Sequence, residues 1–222
     1  MTEHFNDIAA LVTTGSLFLL YFWNTARRGR KAAYRSVQTL NQAVRDEWVH
    51  YTLADPSRGI VGVQTLRNST MAATFFASTA VLLLIGTLNM TDQAERFSQL
   101  WSDVVVQGSG RQIVWTIKVL FLVADLFAAF FFFAMAVRFF NHVGYQISLP
   151  KQARPEWLSD DDIATIMNRA GRFYTIGMRA YFFAVPLVFW LFGPLFMLVA
   201  ALGTLAMMIV IEKPIEKLKK AR

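Results

Sequence analysis

Four long apolar stretches most restrict what this chain can fold into. They cover residues 8–23, 68–88, 113–140 and 173–211, and they contain very few charged side chains. A helix of about 20 apolar residues crosses the hydrocarbon core of a bilayer, which is about 30 Å thick. The sequence therefore predicts an all-α fold, a polytopic transmembrane helical bundle.

The distribution of charge supports a single membrane domain over residues 1–222. The chain is 55% hydrophobic and yet carries a net charge of +7. Its Lys and Arg residues crowd the segments between the apolar runs, as in chains solvated partly by lipid and partly by water. Acidic residues rather than basic ones precede the first run. We therefore expect a retained first span and not a cleaved signal peptide.

Basic residues also predict the number of crossings, because short cytoplasmic loops carry the excess of Lys and Arg. Residues 24–67 contain eight Lys and Arg, the tail from residue 212 contains five, and residues 1–7 contain none. A break at Gly193-Pro194 would let the last run enter and return as a hairpin. This gives up to five crossings, with the N-terminus outside and the C-terminus cytoplasmic. The alternative is one kinked, tilted helix followed by a tolerated basic tail.

Two connecting segments, residues 24–67 and 141–172, are predicted to be cytoplasmic. The first contains six apolar residues that follow one another at three or four positions: Tyr34, Val37, Leu40, Val44, Trp48 and Tyr51. This pattern predicts an amphipathic helix that lies on the headgroups or docks on the bundle. In the second, Ser159 followed by three aspartates is typical of a helix start. That helix is expected to continue into the fourth apolar run as one rod.

Asp125 is the ionisable residue nearest the middle of a predicted span. Such a group is costly in lipid and usually faces protein or water, so it is a functional candidate. Lys118 precedes it by seven residues on almost the same helix face. Three interpretations remain open: a protonated or hydrogen-bonded structural residue, a proton or cation site, and an oligomer contact.

The second apolar run is rich in small and hydroxyl-bearing residues. Ser69, Ala73 and Ala77 repeat at intervals of four, which favours close helix packing. Hydroxyls on the adjacent face indicate a polar path as the alternative. In the fourth run, Arg179 is predicted to snorkel to the cytoplasmic interface or to pair with a buried acid.

The sequence lacks the motifs of several functional classes. The three histidines are isolated, and there is no nucleotide-binding loop, nucleophile elbow or zinc-ligand spacing. We therefore expect no enzymatic activity, no cofactor and no metal centre. The basic cluster at residues 27–31 favours anionic membrane lipids as its partner, not nucleic acid.

Three strings resemble a known family: GIVGVQTLRNSTMAATFFASTAVLLLIG (59–86), VRFFNHVGY (137–145) and RAYFFAVPLVFWLFGP (179–194). Together they resemble the bacterial membrane family catalogued as domain of unknown function 599. The resemblance implies a bacterial inner-membrane protein without an assigned activity. It also adds a set of signature positions: Gln64, Arg67, Asn68, Met71, Ser78, Asn141, His142, Arg179, Trp190, Gly193 and Pro194.

Two functional hypotheses follow. In the first, the chain forms a homo-oligomer with a channel or transport path lined by polar candidates: Arg67, Asn68, Asp125, Asn141, His142 and Arg179. In the second, it is an accessory or scaffold subunit that packs beside a larger membrane complex. In both, we expect helix packing to use a second set of residues: Ser69, Ala73, Ala77, Gly193 and Pro194.

Overall fold

A computed structural model describes residues 2–29, 37–92 and 111–211 of the chain. These residues form helices joined by short turns and contain no strand. The six α-helices, in chain order, are α1 Thr2–Gly29, α2 Val37–Leu53, α3 Gly59–Asp92, α4 Arg111–Ser148, α5 Asp160–Trp190 and α6 Pro194–Ile211. Single turns of 3₁₀-helix, Pro56–Arg58 and Lys151–Ala153, precede α3 and α5.

Five of these helices, all except α2, are long and apolar enough to cross a membrane. Each presents large apolar side chains on its outer surface, which suits contact with lipid. The chain is thus a multi-pass membrane protein, and the prediction of an all-α transmembrane bundle is confirmed.

The long helix α4 lies between α3 and α5 and packs against both. Alanines meet where α3 approaches α4: Ala77 and Ala80 of α3 share a buried cluster with Ala129 of α4. Such small side chains let two helix backbones come close, and this close approach increases the van der Waals contact that holds helices together inside a bilayer. The candidate packing residues Ala73 and Ala77 are both buried in this way.

Phe133 of α4 is the centre of an aromatic cluster. Its ring lies 5.3 to 5.6 Å from the rings of Tyr181, Phe76 and Tyr174, measured between centroids. Gly177 of α5 faces the same ring, where an added Cβ would come within 3.0 Å of its carbon atoms. The bulky ring of α4 therefore fits against α5 because position 177 has no side chain.

The last apolar run consists of two helices. Helix α5 ends at Trp190, and Gly193 adopts φ +147°, a backbone conformation that favours glycine, before Pro194 begins α6. Helix α6 returns beside α5 and packs on α1, where Phe18 and Ala201 share a buried cluster. The hairpin interpretation is thus confirmed. We call the end of the bundle that contains this turn the hairpin end, and the opposite end the α2 end.

Helix α5 begins as its sequence predicts. The Ser159 hydroxyl accepts a hydrogen bond from the backbone N–H of Asp162 at 3.1 Å, and the Asp162 carboxylate accepts one from the N–H of Ser159 at 3.0 Å. From this capping box the helix runs without interruption into the membrane-spanning region, which confirms the prediction of one rod. Helix α4 extends to Ser148, so the predicted connection 141–172 is largely helical.

Helix α2 docks on the bundle, mainly against α5. Val49 and Thr52 are buried in this contact, whereas Val44 and Tyr51 of the predicted apolar face are exposed. Of the two placements that the sequence left open, the structure shows docking on the bundle, and Arg45, counted among the polar positions, also reaches a partner on α5. Tyr34 lies outside the described residues.

Candidate functional site

A buried ion pair joins three helices at the hairpin end. Lys118 Nζ of α4 lies 2.8 Å from Asp7 Oδ1 of α1, and the two side chains are only 9% and 14% exposed. The indole N–H of Trp190, the last residue of α5, donates to the same carboxylate at 2.9 Å. The Lys118 ammonium is 5.4 Å from the centroid of the Trp190 ring.

This arrangement compensates the desolvation of both charges. A buried carboxylate needs an opposite charge in contact and further hydrogen-bond donors, and Asp7 has both. Lys118 forms its ion pair with Asp7 and not with Asp125, the partner that its position on α4 suggested.

Asp125 lies two helical turns further into the bundle on α4. It is half-buried, and its Oδ2 is enclosed without a hydrogen-bond partner. The neighbouring Leu122 and Leu126 belong to an apolar cluster with α1, α5 and α6. Asp125 is therefore an acid in an apolar setting, separate from the ion pair.

A second polar network fixes α2 to α5 at the α2 end. The Arg45 guanidinium donates to Asn168 Oδ1 at 2.9 Å, and the Asn168 amide donates to the Asp46 carboxylate. Gly171 makes room for the guanidinium, since a Cβ there would lie 2.7 Å from Arg45 Cζ. Burial lowers the pKa of Arg45 from its usual value, and the Asp46 carboxylate acts in the opposite direction.

Arg179 connects α5 with α1 and α2. Its guanidinium lies 4.6 Å from the centroid of the Phe22 ring and donates to Gln38 Oε1 at 3.3 Å. It is half-buried and points toward the α2 end. These contacts suit a cation that leaves the apolar layer near an interface.

Helix α3 carries polar side chains on its outer surface. We define the outer stripe as Gln64, Arg67, Met71, Thr74 and Ser78, all of which are exposed. Their spacing of three and four residues places them within a sector of about 80°, at about 100° per residue. The stripe lies away from the side of α3 that packs on α4, so nothing in the described chain covers it.

Four hydroxyls of α3 outside the outer stripe bond to their own helix. Thr65, Ser69, Thr79 and Thr87 each donate to the carbonyl four residues earlier, at 2.8 to 3.2 Å. Thr74 and Ser78 donate no hydrogen bond to the described residues. Their hydroxyls are therefore available to a neighbour or to water.

Arg67 lies beside an open groove of about 360 Å³ at the α2 end. The groove is lined by Pro56, Gly59, Ile60, Val63, Gln64, Arg67 and Ser148. Within the described residues the Arg67 guanidinium has no acidic partner. Its positive charge therefore faces the surroundings of the bundle.

Asn68, Asn141 and His142 are also exposed. They lie at the same depth as Arg67, because Leu66 and Val143 pack together in one cluster near the α2 end. The six predicted polar candidates thus divide into two groups. Asp125 and Arg179 are half-buried, whereas the other four lie on the outer surface and do not converge on an interior cavity.

Two features of the candidate site were not predicted from the sequence: the partner of Lys118 and the role of Asn168. The only local signal for Asp7 was its position immediately before the first apolar run. Asn168 occupies an ordinary helical position and gave no signal. Among the described residues no group of three or more His, Cys, Asp or Glu could hold a metal ion.

Comparison with known proteins gave one match. The sequence model of a family described as "Protein of unknown function, DUF599" matches residues 9–214. No curated protein and no solved structure shows a significant match. Proposals about function therefore rest on the residues and their geometry.

The buried ion pair should show strong coupling between its two members. Lys118→Met alone leaves the Asp7 carboxylate buried and uncompensated, and should lower the free energy of unfolding by about 3 kcal/mol. Asp7→Asn alone should have a similar effect, whereas the double variant should lose clearly less than the sum. Thermal unfolding of the purified variants in detergent measures these changes in stability.

Asp161→Asn is the control, since Asp161 and His50 form an exposed pair at 3.2 Å. It should change the free energy of unfolding by less than about 1 kcal/mol. Additive effects of Asp7→Asn and Lys118→Met would show that the buried pair is not a coupled unit.

Proposed function

We propose that this chain, which belongs to the DUF599 family of proteins of unknown function, is a bacterial inner-membrane protein that self-associates through α3 and forms a transport path. The observation that supports this proposal is the exposed outer stripe of α3. Stripes from neighbouring protomers would face one another and enclose a route for small solutes or ions.

Exposure of the outer stripe to lipid is unfavourable. From Gln64 to Ser78 it extends for about 21 Å along α3. Gln64 and Arg67 precede the apolar run 68–88, at the α2 end, whereas Thr74 and Ser78 lie within that run. Amide and hydroxyl groups in hydrocarbon lose their hydrogen bonds to water, and they usually face protein or a water-filled space. A second protein surface or an aqueous path would remove this cost.

The spacing of the outer stripe suits contact with a second copy of α3. Positions three and four residues apart form the seam of paired helices, and a symmetric interface brings the same surface together from both sides. A dry contact would, however, place Arg67 residues of like charge near one another. A hydrated centre avoids this repulsion, so the stripe favours a wet path with a positively charged mouth.

The charge distribution supports an orientation with the α2 end in the cytoplasm. Five crossings bring the basic segments 24–67 and 212–222 to the same side, as the rule for Lys and Arg requires. The N-terminus is then outside. Because the chain has no native cysteine, a Lys220→Cys variant can test this: an impermeant maleimide should label it only after the cells are permeabilised. Labelling in intact cells would contradict the orientation.

An accessory or scaffold role is the second candidate. Helix α2 docks by one side only, so Val44 and Tyr51 remain exposed at the α2 end. These apolar residues, outside the membrane-spanning helices, offer a contact for another subunit. In that case the outer stripe would pack against a different protein and would enclose no path.

Cysteine cross-linking tests the proposed self-association. Ser78→Cys places a thiol on the outer stripe, and oxidation in native membranes should give a disulfide-linked dimer. Ala80→Cys is the matched control, since Ala80 is fully buried against α4. Equal yields for both variants, or no dimer from a scan of the stripe, would contradict association through this surface.

Flux into proteoliposomes tests the path itself, with chloride and potassium as the probe ions. Ion flux through the wild type should exceed the flux into empty liposomes, and it should be larger for chloride than for potassium, because Arg67 makes the mouth of the path positive. Arg67→Gln should reduce this preference severalfold, whereas Arg172→Gln, an exposed charge on α5, should not. Cross-linking at Ser78 with flux no higher than in empty liposomes would favour the accessory-subunit role.

A further inference from the structure

Three side-chain oxygens of the described residues are enclosed without a hydrogen-bond partner. Gln146 Oε1 lies near the α2 end of α4, whereas Oγ1 of Thr14 on α1 and Oδ2 of Asp125 on α4 lie toward the hairpin end. The Thr14 side chain is completely buried, at 0% exposure. Buried polar groups without partners are rare and costly, so each of these oxygens requires an explanation.

Among the described hydroxyls, Thr14 is distinguished because it is enclosed and yet makes no hydrogen bond. Seven other helical hydroxyls donate to the carbonyl four residues earlier, at 2.8 to 3.2 Å: Thr52, Thr65, Ser69, Thr79, Thr87, Thr175 and Thr204. Thr14 makes no such bond to its own helix, so its hydroxyl is buried without a partner.

Thr14 and Asp125 lie at the same depth. Both α1 and α4 run antiparallel to α5, since Asp7 and Phe121 meet Trp190 while Phe18 and Phe132 meet residues earlier in α5. Helices α1 and α4 are thus parallel, and the Asp7–Lys118 ion pair fixes their register. Thr14 follows Asp7, and Asp125 follows Lys118, by seven residues. Each therefore lies two turns, about 10 Å, inside the ion pair and on nearly the same helix face.

The segment of α5 at this depth provides another oxygen. Pro186 is buried within α5 and has no N–H, so the carbonyl of Phe182 lacks its usual helical donor. The ring of the next residue, Phe183, lies 5.1 Å from that of Phe18, which places this part of α5 beside α1. Carbonyls freed in this way are common ligands for cations in membrane transport proteins.

Charge indicates the ligand. The ammonium of Lys118 is already paired with Asp7, and no ion pair with Asp125 exists among the described residues. A carboxylate at this depth needs a compensating positive charge. One carboxylate combined with neutral oxygens compensates one positive charge, so the ligand is a monovalent cation, and Leu122, Leu126 and Leu187 form the apolar surroundings.

We propose that Asp125 and Thr14 bind a sodium ion inside each protomer, between α1, α4 and α5. The carboxylate supplies the charge, and the hydroxyl supplies a neutral oxygen ligand. The site lies away from the outer stripe of α3. Its existence is therefore independent of the proposed path between protomers, and either proposal can fail without the other.

Sodium binding is measured on the purified full-length protein in detergent and choline chloride. Radiolabelled Na⁺ should bind saturably, with one ion per chain. Replacing choline by Na⁺ at tenfold the dissociation constant should raise Tm by about 3 °C, because a ligand that binds only the folded state stabilises it. Potassium at the same ionic strength should not.

Asp125→Asn removes the charge and Thr14→Val removes the hydroxyl at nearly constant volume, so both should abolish saturable binding and the Tm increase. Thr204→Val is the matched control, because Thr204 is also buried but bonds to the Ala200 carbonyl. It should bind Na⁺ like the wild type. Size-exclusion profiles establish which variants are folded.

Two results would overturn the proposal. One is a wild-type Tm that is the same in sodium, potassium and choline chloride, with no saturable Na⁺ binding. The other is an Asp125→Asn variant that is folded and keeps full Na⁺ binding. A wild type without sodium response whose Asp125→Asn variant is equally stable would show that the carboxyl carries a proton instead.

Discussion

The close approach of α3 and α5 to the central helix α4 is the constraint on which the rest of the structure depends. Within lipid, burial of apolar surface gives little net attraction between helices, so stability requires tight contact of complementary shapes. Ala77 and Ala129 provide that contact on one side of α4, and Gly177 beneath Phe133 provides it on the other. Once these three helices are fixed, the positions of the hairpin, of α1 and of α2 follow from contacts with α5 and α6.

Polar groups are distributed according to this packing. Each end of the bundle has a network that ties a peripheral helix to α5: Asp7 and Trp190 at the hairpin end, Arg45 and Asn168 at the α2 end. The outer stripe of α3 and the enclosed oxygens of Thr14 and Asp125 belong to neither network. Because these groups have no structural partner among the described residues, they are candidates for function.

Much of the fold was predictable because it depends on residues that are close together in the sequence. The apolar runs, the Ser159 cap and the Gly193-Pro194 break depend on neighbouring residues alone, and the structure agrees with each of them. The polar networks depend on residues far apart in the chain, such as Arg45 and Asn168, which are 123 positions apart. For the same reason the periodicity of α2 did not reveal that Arg45, at a polar position, reaches a partner on α5.

The hydrogen bond from Trp190 to Asp7 has a consequence for assembly during synthesis. Asp7 emerges from the ribosome first, but its two partners belong to helices that are made much later. Until they arrive, the carboxylate is more stable in water than at its final buried position. The contacts of α1 with Lys118 and Trp190 can therefore form only after α4 and α5 have been made, so α1 becomes fixed later than its position in the chain suggests.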